Sequence, residues 1–219
     1  NRCVPERPQP EVLEPPRTDL LRGNVDPGGQ SFDVGIGVTD DIIGHVMWAI
    51  YNGGALCLSI TSETIAQLSA GTLSIGLPNL LSLARGNDAP VAITMAPQQV
   101  PRVQIGSNTF VENENGMRTL EDPLLTMTIP ELWLDFHIFM EDRWTRIFSL
   151  HADVVLPLGL DFTPDNALIP IIGDLSQALT NVRAVNGEIM EDDPSELAGL
   201  LPVLVGALGG TITSGIDPI

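Results

Sequence analysis

Three histidines, two cysteines and several carboxylate clusters are the side chains of this sequence whose types could do chemistry. His45 stands one helical turn after Asp41, a spacing that suits a helix surface or groove edge better than a catalytic base. His137 and His151 fall on the polar faces of two successive alternating segments. With a turn centred near Asp142, His151 comes opposite Trp133 and not opposite His137. Neither has a cysteine or a second histidine at the spacing a metal ion needs. No nucleophile elbow, HExxH zinc motif or phosphate-cradling glycine loop occurs. Gly35-Ile36-Gly37 lies inside an expected strand and lacks the third glycine of a dinucleotide fingerprint. The clusters Glu112/Glu114, Glu121/Asp122 and Glu191/Asp192/Asp193 lack EF-hand spacing and read as solvated loops and helix caps. No enzyme, metal or cofactor is expected.

The cysteines leave several readings open. Cys57 sits in an apolar strand, where a buried free thiol is the plain expectation. Cys3 lies in a Pro-rich tail. A Cys3–Cys57 disulfide would form if the tail packs back, and it would indicate an oxidising compartment. Cys3 could equally pair with another chain.

The elements that position these residues are more informative than the residues themselves. Phe32, Val34, Ile36 and Val38 alternate as a short strand. Thr39 then caps a helix whose first turn carries Asp40 and Asp41, carboxylates that complement the helix dipole. The helix runs to about Asn52 and stops at Gly53-Gly54. It is apolar on most of its circumference, so it must be coated on nearly all sides. A second strand, Ala55 to Ile60, follows. Further along, the even positions from Phe148 to Phe162 are apolar and the odd ones mostly polar. At about 3.3 Å per residue this single strand would span about 50 Å. Leu132, Leu134, Phe136, Ile138 and Met140 share a face on the preceding strand, with Glu141-Asp142-Arg143 as the hairpin turn. Upstream of Pro130 the apolar phase flips to Leu125, Met127 and Ile129, which predicts a β-bulge there.

Residues 1–30 are rich in Pro, Gly, Arg and Glu and read as an extended arm or linker, with one folded domain over 31–219. Within it, a short helix is expected at Thr64 to Leu68, short strands at Val91 to Met95, Arg102 to Ile105 and Val182 to Val185, and an acidic loop over Val111 to Asp122. Asp193-Pro194-Ser195-Glu196 opens a second apolar helix carrying Leu197, Leu200, Leu201, Leu204, Val205 and Leu208. The fold class is α+β: a long, bulged antiparallel sheet rolled around two apolar helices.

Charge narrows the partners. The 219 residues carry 28 acidic and 10 basic side chains, a formal net charge of −18, and every basic residue is arginine. Such a chain is repelled by nucleic acid and by anionic surfaces. The lysine-free composition suggests a GC-rich bacterial source. No apolar run is long enough to span a bilayer as a helix, and no signal-peptide pattern is present.

The order of motifs resembles a domain of the bactericidal/permeability-increasing and lipopolysaccharide-binding protein family, within the tubular lipid-binding (TULIP) superfamily. The resemblance rests on the helix with Trp48-Ala49, the Gly53-Gly54-Ala55-Leu56 exit, Gly76-Leu77-Pro78, the Val100-Pro101-Arg102-Val103 strand entry, the long central strands and Leu200-Leu201-Pro202 in the late helix. It covers residues 31–215 and implies a sheet rolled around a helix with an elongated apolar cavity. Many members carry two such domains, so a second TULIP-like domain or a neighbouring subunit, met through residues 1–30, is a further expected partner. The basic clusters with which members meet anionic endotoxin are missing here. Arg143 and Arg146 near the hairpin tip are offset by Glu141 and Asp142.

The expected function is therefore binding or transfer of lipid, or of another elongated apolar molecule, by a secreted, periplasmic or cell-surface protein. Two helices about 20 Å long cannot cover a sheet about 50 Å long. The residues expected to contact the ligand are Val46, Met47 and Ile50 on the first helix, Leu132, Leu134 and Phe136 on one long strand, Phe148, Leu150, Val154, Leu156 and Leu158 on the next, and Leu201 and Leu204 on the late helix. The competing expectation is a structural subunit of an extracellular or envelope assembly. Its groove would be filled by a neighbour, and its arm and Cys3 would lace subunits together.

Overall fold

The computed structural model describes residues 3–11, 23–26, 28–35, 37–64, 68–74, 77–86, 88–112, 118–162, 167–174 and 178–189. Helix α1 spans Asp40–Gly53. Thr39 caps it, its hydroxyl accepting from the Ile42 amide, and Gly54 closes it in the left-handed conformation at φ 74°. The strand expected at Phe32 to Val38 does not form: among the described residues of that stretch only Ser31, just before it, makes a bridge, to Val25. Asp33, Gly35 and Gly37 weaken β pairing there, and Val34 stands 80% exposed.

A short strand β1 (Ser59–Thr61) follows, then helices α2 (Ala70–Leu73) and α3 (Asn79–Leu83). The helix expected at Thr64 to Leu68 falls on residues 65–67, outside the described residues; the next described turn is α2, where Ser69 supplies the cap. Strands β2 (Val91–Pro97) and β3 (Arg102–Ile105) fall where short strands were expected, β2 running two residues further. The acidic stretch after them is a hairpin and not a loop, with β4 (Thr109–Glu112) pairing β5 (Arg118–Asp122).

The long hairpin is β6 (Leu125–Met140) and β7 (Arg143–Phe162). Its turn residues Glu141 and Asp142 have φ of 50° and 60°, as a tight two-residue connection requires. The register slips between Ile129 and Leu132, so the bulge expected at Pro130 is present. Trp133 pairs with His151, also as expected. Strands β8 (Leu168–Ile172) and β9 (Leu179–Val185) both pair with β7 at different heights. The main sheet runs β1-β2-β6-β7-β8, with β3 on β6 and β9 on β7.

The N-terminal arm folds back. Cys3 and Cys57 form a disulfide, with Cα atoms 6.2 Å apart. Val4 is buried, and residues beyond it run along α1. The expectation that α1 is coated on nearly all sides is not met by the described residues. Tyr51 is its one fully buried side chain, while Ile42 and Val46 are 52% and 47% exposed. The second apolar helix expected after Asp193 lies outside the described residues.

Candidate functional site

Antiparallel register decides which side chains share a face. Opposite residues point the same way, so Leu132, Leu134, Phe136 and Ile138 of β6 line up with Met95, Ile93 and Val91 of β2 and with Ala152, Leu150 and Phe148 of β7. Toward the hairpin tip this face is sealed. Leu73, Leu77, Leu80 and Ala84, from α2, α3 and their flanks, join Val91, Ile93, Phe136, Ile138, Ile147, Phe148 and Leu150 in one buried cluster. Phe136 and Phe148 stack with ring centroids 4.4 Å apart. Four of the expected contact residues, Leu132, Phe136, Phe148 and Leu150, are thus buried, and Leu134 packs half-buried against the cluster.

Away from the tip the same face continues without a lid among the described residues. Val154 opposes Ile129, Leu156 opposes Met127, and Leu158 opposes Leu125. Val103 and Ile105 of β3 extend this row on one side, and Leu168, Pro170 and Ile172 of β8 on the other. All of these are half-buried except Ile105, which is exposed. Helix α1 rests along β3. On it, Met47 and Ile50 are half-buried and Val46 is exposed. Leu201 and Leu204 lie outside the described residues. The structure therefore divides the expected contact set: Val154, Leu156 and Leu158 are half-buried in an apolar row without a lid among the described residues, and the aromatic members sit in the core.

One carboxylate marks the boundary. Asp153 accepts from the Glu131 amide at 2.8 Å and from the Asn181 side chain at 2.6 Å. Glu131 and Asn181 both have positive φ, 48° and 54°, and the β6–β7 slip at Ile129/Leu132 and the β9–β7 slip at His151/Asp153 fall at this height. The Glu131 amide first, then Asn181, holds the Asp153 carboxyl below the usual aspartate range. Two bulges pinned to one side chain bend the sheet where its cover ends.

The opposite face carries the polar residues. His151 stacks flat on Trp133, ring centroids 4.4 Å apart. Its Nδ1 is buried without a partner, and burial, then Arg183, lowers its pKa from the ordinary histidine value. Among the described residues, the ring nitrogens of His45 and His137 meet backbone carbonyls, those of Asp41, Pro10 and Asp135. Among the described residues no three His, Cys, Asp or Glu side chains gather at metal-binding distance.

Three features escaped the sequence reading. The β4–β5 hairpin is a flap: Arg118 donates to both oxygens of Asp161 at 2.9 and 2.7 Å, and Leu120 sits over Gly159, where a Cβ would clash with it, and reaches Gly173. The signals were a glycine inside a long strand and the Thr109-Phe110-Val111 alternation. Asp153 gave no signal beyond the phase flip. The arm's path along α1 gave none beyond Cys3.

No family model matches the chain, and no curated protein matches it. Among solved structures, the crystal structure of lipopolysaccharide binding protein superposes with a TM-score of 0.50 at 11% sequence identity, covering 74% of this chain and 33% of that one. The chain thus spans about a third of that protein's length. The likeness is one of fold: a curled, strand-rich antiparallel half-barrel with few helices.

Proposed function

We propose that this apolar row and α1 together form a groove that binds or transfers a lipid or another elongated apolar molecule. One observation carries the reading. Along the same two strands, β6 and β7, the apolar face is mostly buried toward the tip, at Leu132, Phe136, Ile138, Phe148, Leu150 and Ala152, and only half-buried at every apolar position from Leu125 to Ile129 and at Val154, Leu156, Leu158 and Leu160. An apolar row of that kind gains about 25 cal/mol per Å² when covered, and an acyl chain laid along it would supply the cover. The contacts we assign are Val154, Leu156 and Leu158 with Met127 and Ile129, and Val46, Met47 and Ile50 on α1. Leu201 and Leu204, at helical spacing, would complete the cover. The net charge of −18 favours a neutral or zwitterionic head group over an anionic one. No covalent step is assigned to any residue, and the Cys3–Cys57 disulfide fits an oxidising compartment.

The assembly-subunit reading loses its main support. Cys3 is bonded within the chain, and the described part of the arm lies on the chain's own helix.

The test is direct. Protein purified without detergent is extracted with organic solvent and analysed by mass spectrometry. Lipid is expected in the native extract, and a drop of at least about tenfold is expected for Leu156→Asp, with circular dichroism unchanged. A clean native extract, together with no uptake of cis-parinaric acid by delipidated protein, would refute the groove.

A further inference from the structure

The arm holds α1 along a single stripe. His45, Trp48 and Asn52 are spaced three and four residues apart, so they share one helix face. Trp48 donates its indole N–H to the Arg7 carbonyl at 2.9 Å. Asn52 donates to the same carbonyl at 3.0 Å and accepts from the Arg7 amide at 3.2 Å. His45 Nε2 lies 3.1 Å from the Pro10 carbonyl oxygen. The Arg7 guanidinium reaches across to the Gln98 carbonyl at 2.9 Å, tying the arm to the end of β2. The disulfide closes this strap at the exit of α1, because Cys57 follows the helix by a few residues.

Besides the strap, the described residues hold the helix through the buried Tyr51 and through β3. The helix has 14 residues, a length at which an isolated helix is marginal in water. Its stripe next to the arm, Ile42 and Val46, is open, and β3, the strand beneath it, is only four residues long.

We propose that residues 3–11 and α1 form one latched unit, anchored at its disulfide end over the Trp133 face of the sheet, and that reduction of Cys3–Cys57 releases it. A dithiol is the chemical class that opens the latch. Its thiolate attacks one sulfur, and the other leaves and takes a proton. The second thiol then closes on the mixed disulfide. The two cysteines gain two electrons and two protons, and the dithiol becomes a disulfide. Both cysteines line an open surface groove of about 650 Å³, between the arm and the Thr94–Ala96 and Trp133 row, so a small thiolate has room to approach. The latch itself stands on the contacts above; its effect on cargo rests on the groove proposal.

Hydrogen exchange followed residue by residue tests it. In excess dithiothreitol, amides of α1 are expected to exchange at least about tenfold faster, while amides around Phe136, Ile147 and Phe148 stay protected. Reoxidation restores the slow rate. Trp48→Phe keeps the disulfide and removes one strap donor, so it gives a smaller rise of about threefold. Release of cis-parinaric acid is expected to quicken on reduction by a similar factor. Equal α1 exchange in the two redox states overturns the latch, and so does a joint rise in α1 and the core. Faster α1 exchange in a protein that never takes up parinaric acid upholds the latch and removes the groove.

Discussion

The two halves of the β6–β7 hairpin are built from the same kind of sequence and end in different states. Both alternate apolar and polar residues, and both belong to one continuous sheet. Toward the tip, Phe136, Ile138, Phe148 and Leu150 are buried because α2 and α3 lie on them. Toward the base, Met127, Ile129, Leu156 and Leu158 have the same chemistry and remain half-exposed. Burial here is decided by whether a neighbouring segment provides a lid, and the strand's own pattern does not report it. An apolar face tells that something covers it; it does not tell whether the cover is the chain itself.

The largest expected effect tests that division by truncation. Phe148→Ala removes a fully buried ring stacked on Phe136 and should cost about 3–5 kcal/mol. Leu156→Ala, on the same strand and face, should cost about 1 kcal/mol or less in the ligand-free protein, because its side chain is already partly in water. Urea unfolding of the delipidated variants measures both. Similar costs at the two sites would erase the distinction between sealed and open halves.

That contrast also separates what was legible in the sequence from what was not. The period-2 pattern gave β6 and β7, and the phase flip at Pro130 gave the bulge, because alternation is a local consequence of strand geometry. Thr39, Gly53 and Gly54 gave the ends of α1 for the same local reason. Tertiary cover is non-local. Nothing in the spacing of Phe148 or Leu150 says that α2 and α3 land on them while Leu156 is spared. The strand expected at Phe32 to Val38 failed on the same ground: its alternation is real, but no sheet edge pairs with its described residues, and its glycines favour no ladder. The flap was missed because Val111 to Asp122 is polar on both faces, and its docking depends on sockets about 40 residues away in sequence.

A smaller effect probes how the open half is bounded on its other face. Gly159 is buried beneath the flap, and a Cβ there would lie 2.7 Å from Leu120. Gly159→Val should therefore lift the flap at a cost of about 1–3 kcal/mol. Hydrogen exchange of Thr109–Glu112 and Arg118–Asp122 would rise, with the tip core unaffected. Pairing it with Leu120→Ala should recover part of the loss, because the clash goes with the larger side chain. A Gly159→Val protein with full flap protection would show that Gly159 is not a socket.

The smallest effect is a pH dependence located at the boundary between the halves. His151 has a folded pKa below its unfolded value near 6.5, chiefly through burial. Its neutral form is favoured in the fold, so its contribution is complete above that value and is lost as pH falls through it toward the folded pKa. Asp153 is also depressed, from 3.8, by the Glu131 amide and then Asn181. Its contribution is present above that value and declines as pH falls through the lower folded pKa. Stability should thus drop in two separate acid steps, both in residues that flank the bulges and neither in the sealed core, which holds no titrating group among its described members. His151→Gln should flatten the upper step and leave the lower one. Asp153→Asn should flatten the lower step and cost about 1 kcal/mol at neutral pH, since a neutral amide oxygen accepts the Glu131 amide less strongly than a carboxylate does. Urea midpoints taken across the acid range would decide it. A single step shared by both variants would mean that the boundary titrates as one network and that Asp153 does not hold the bend alone.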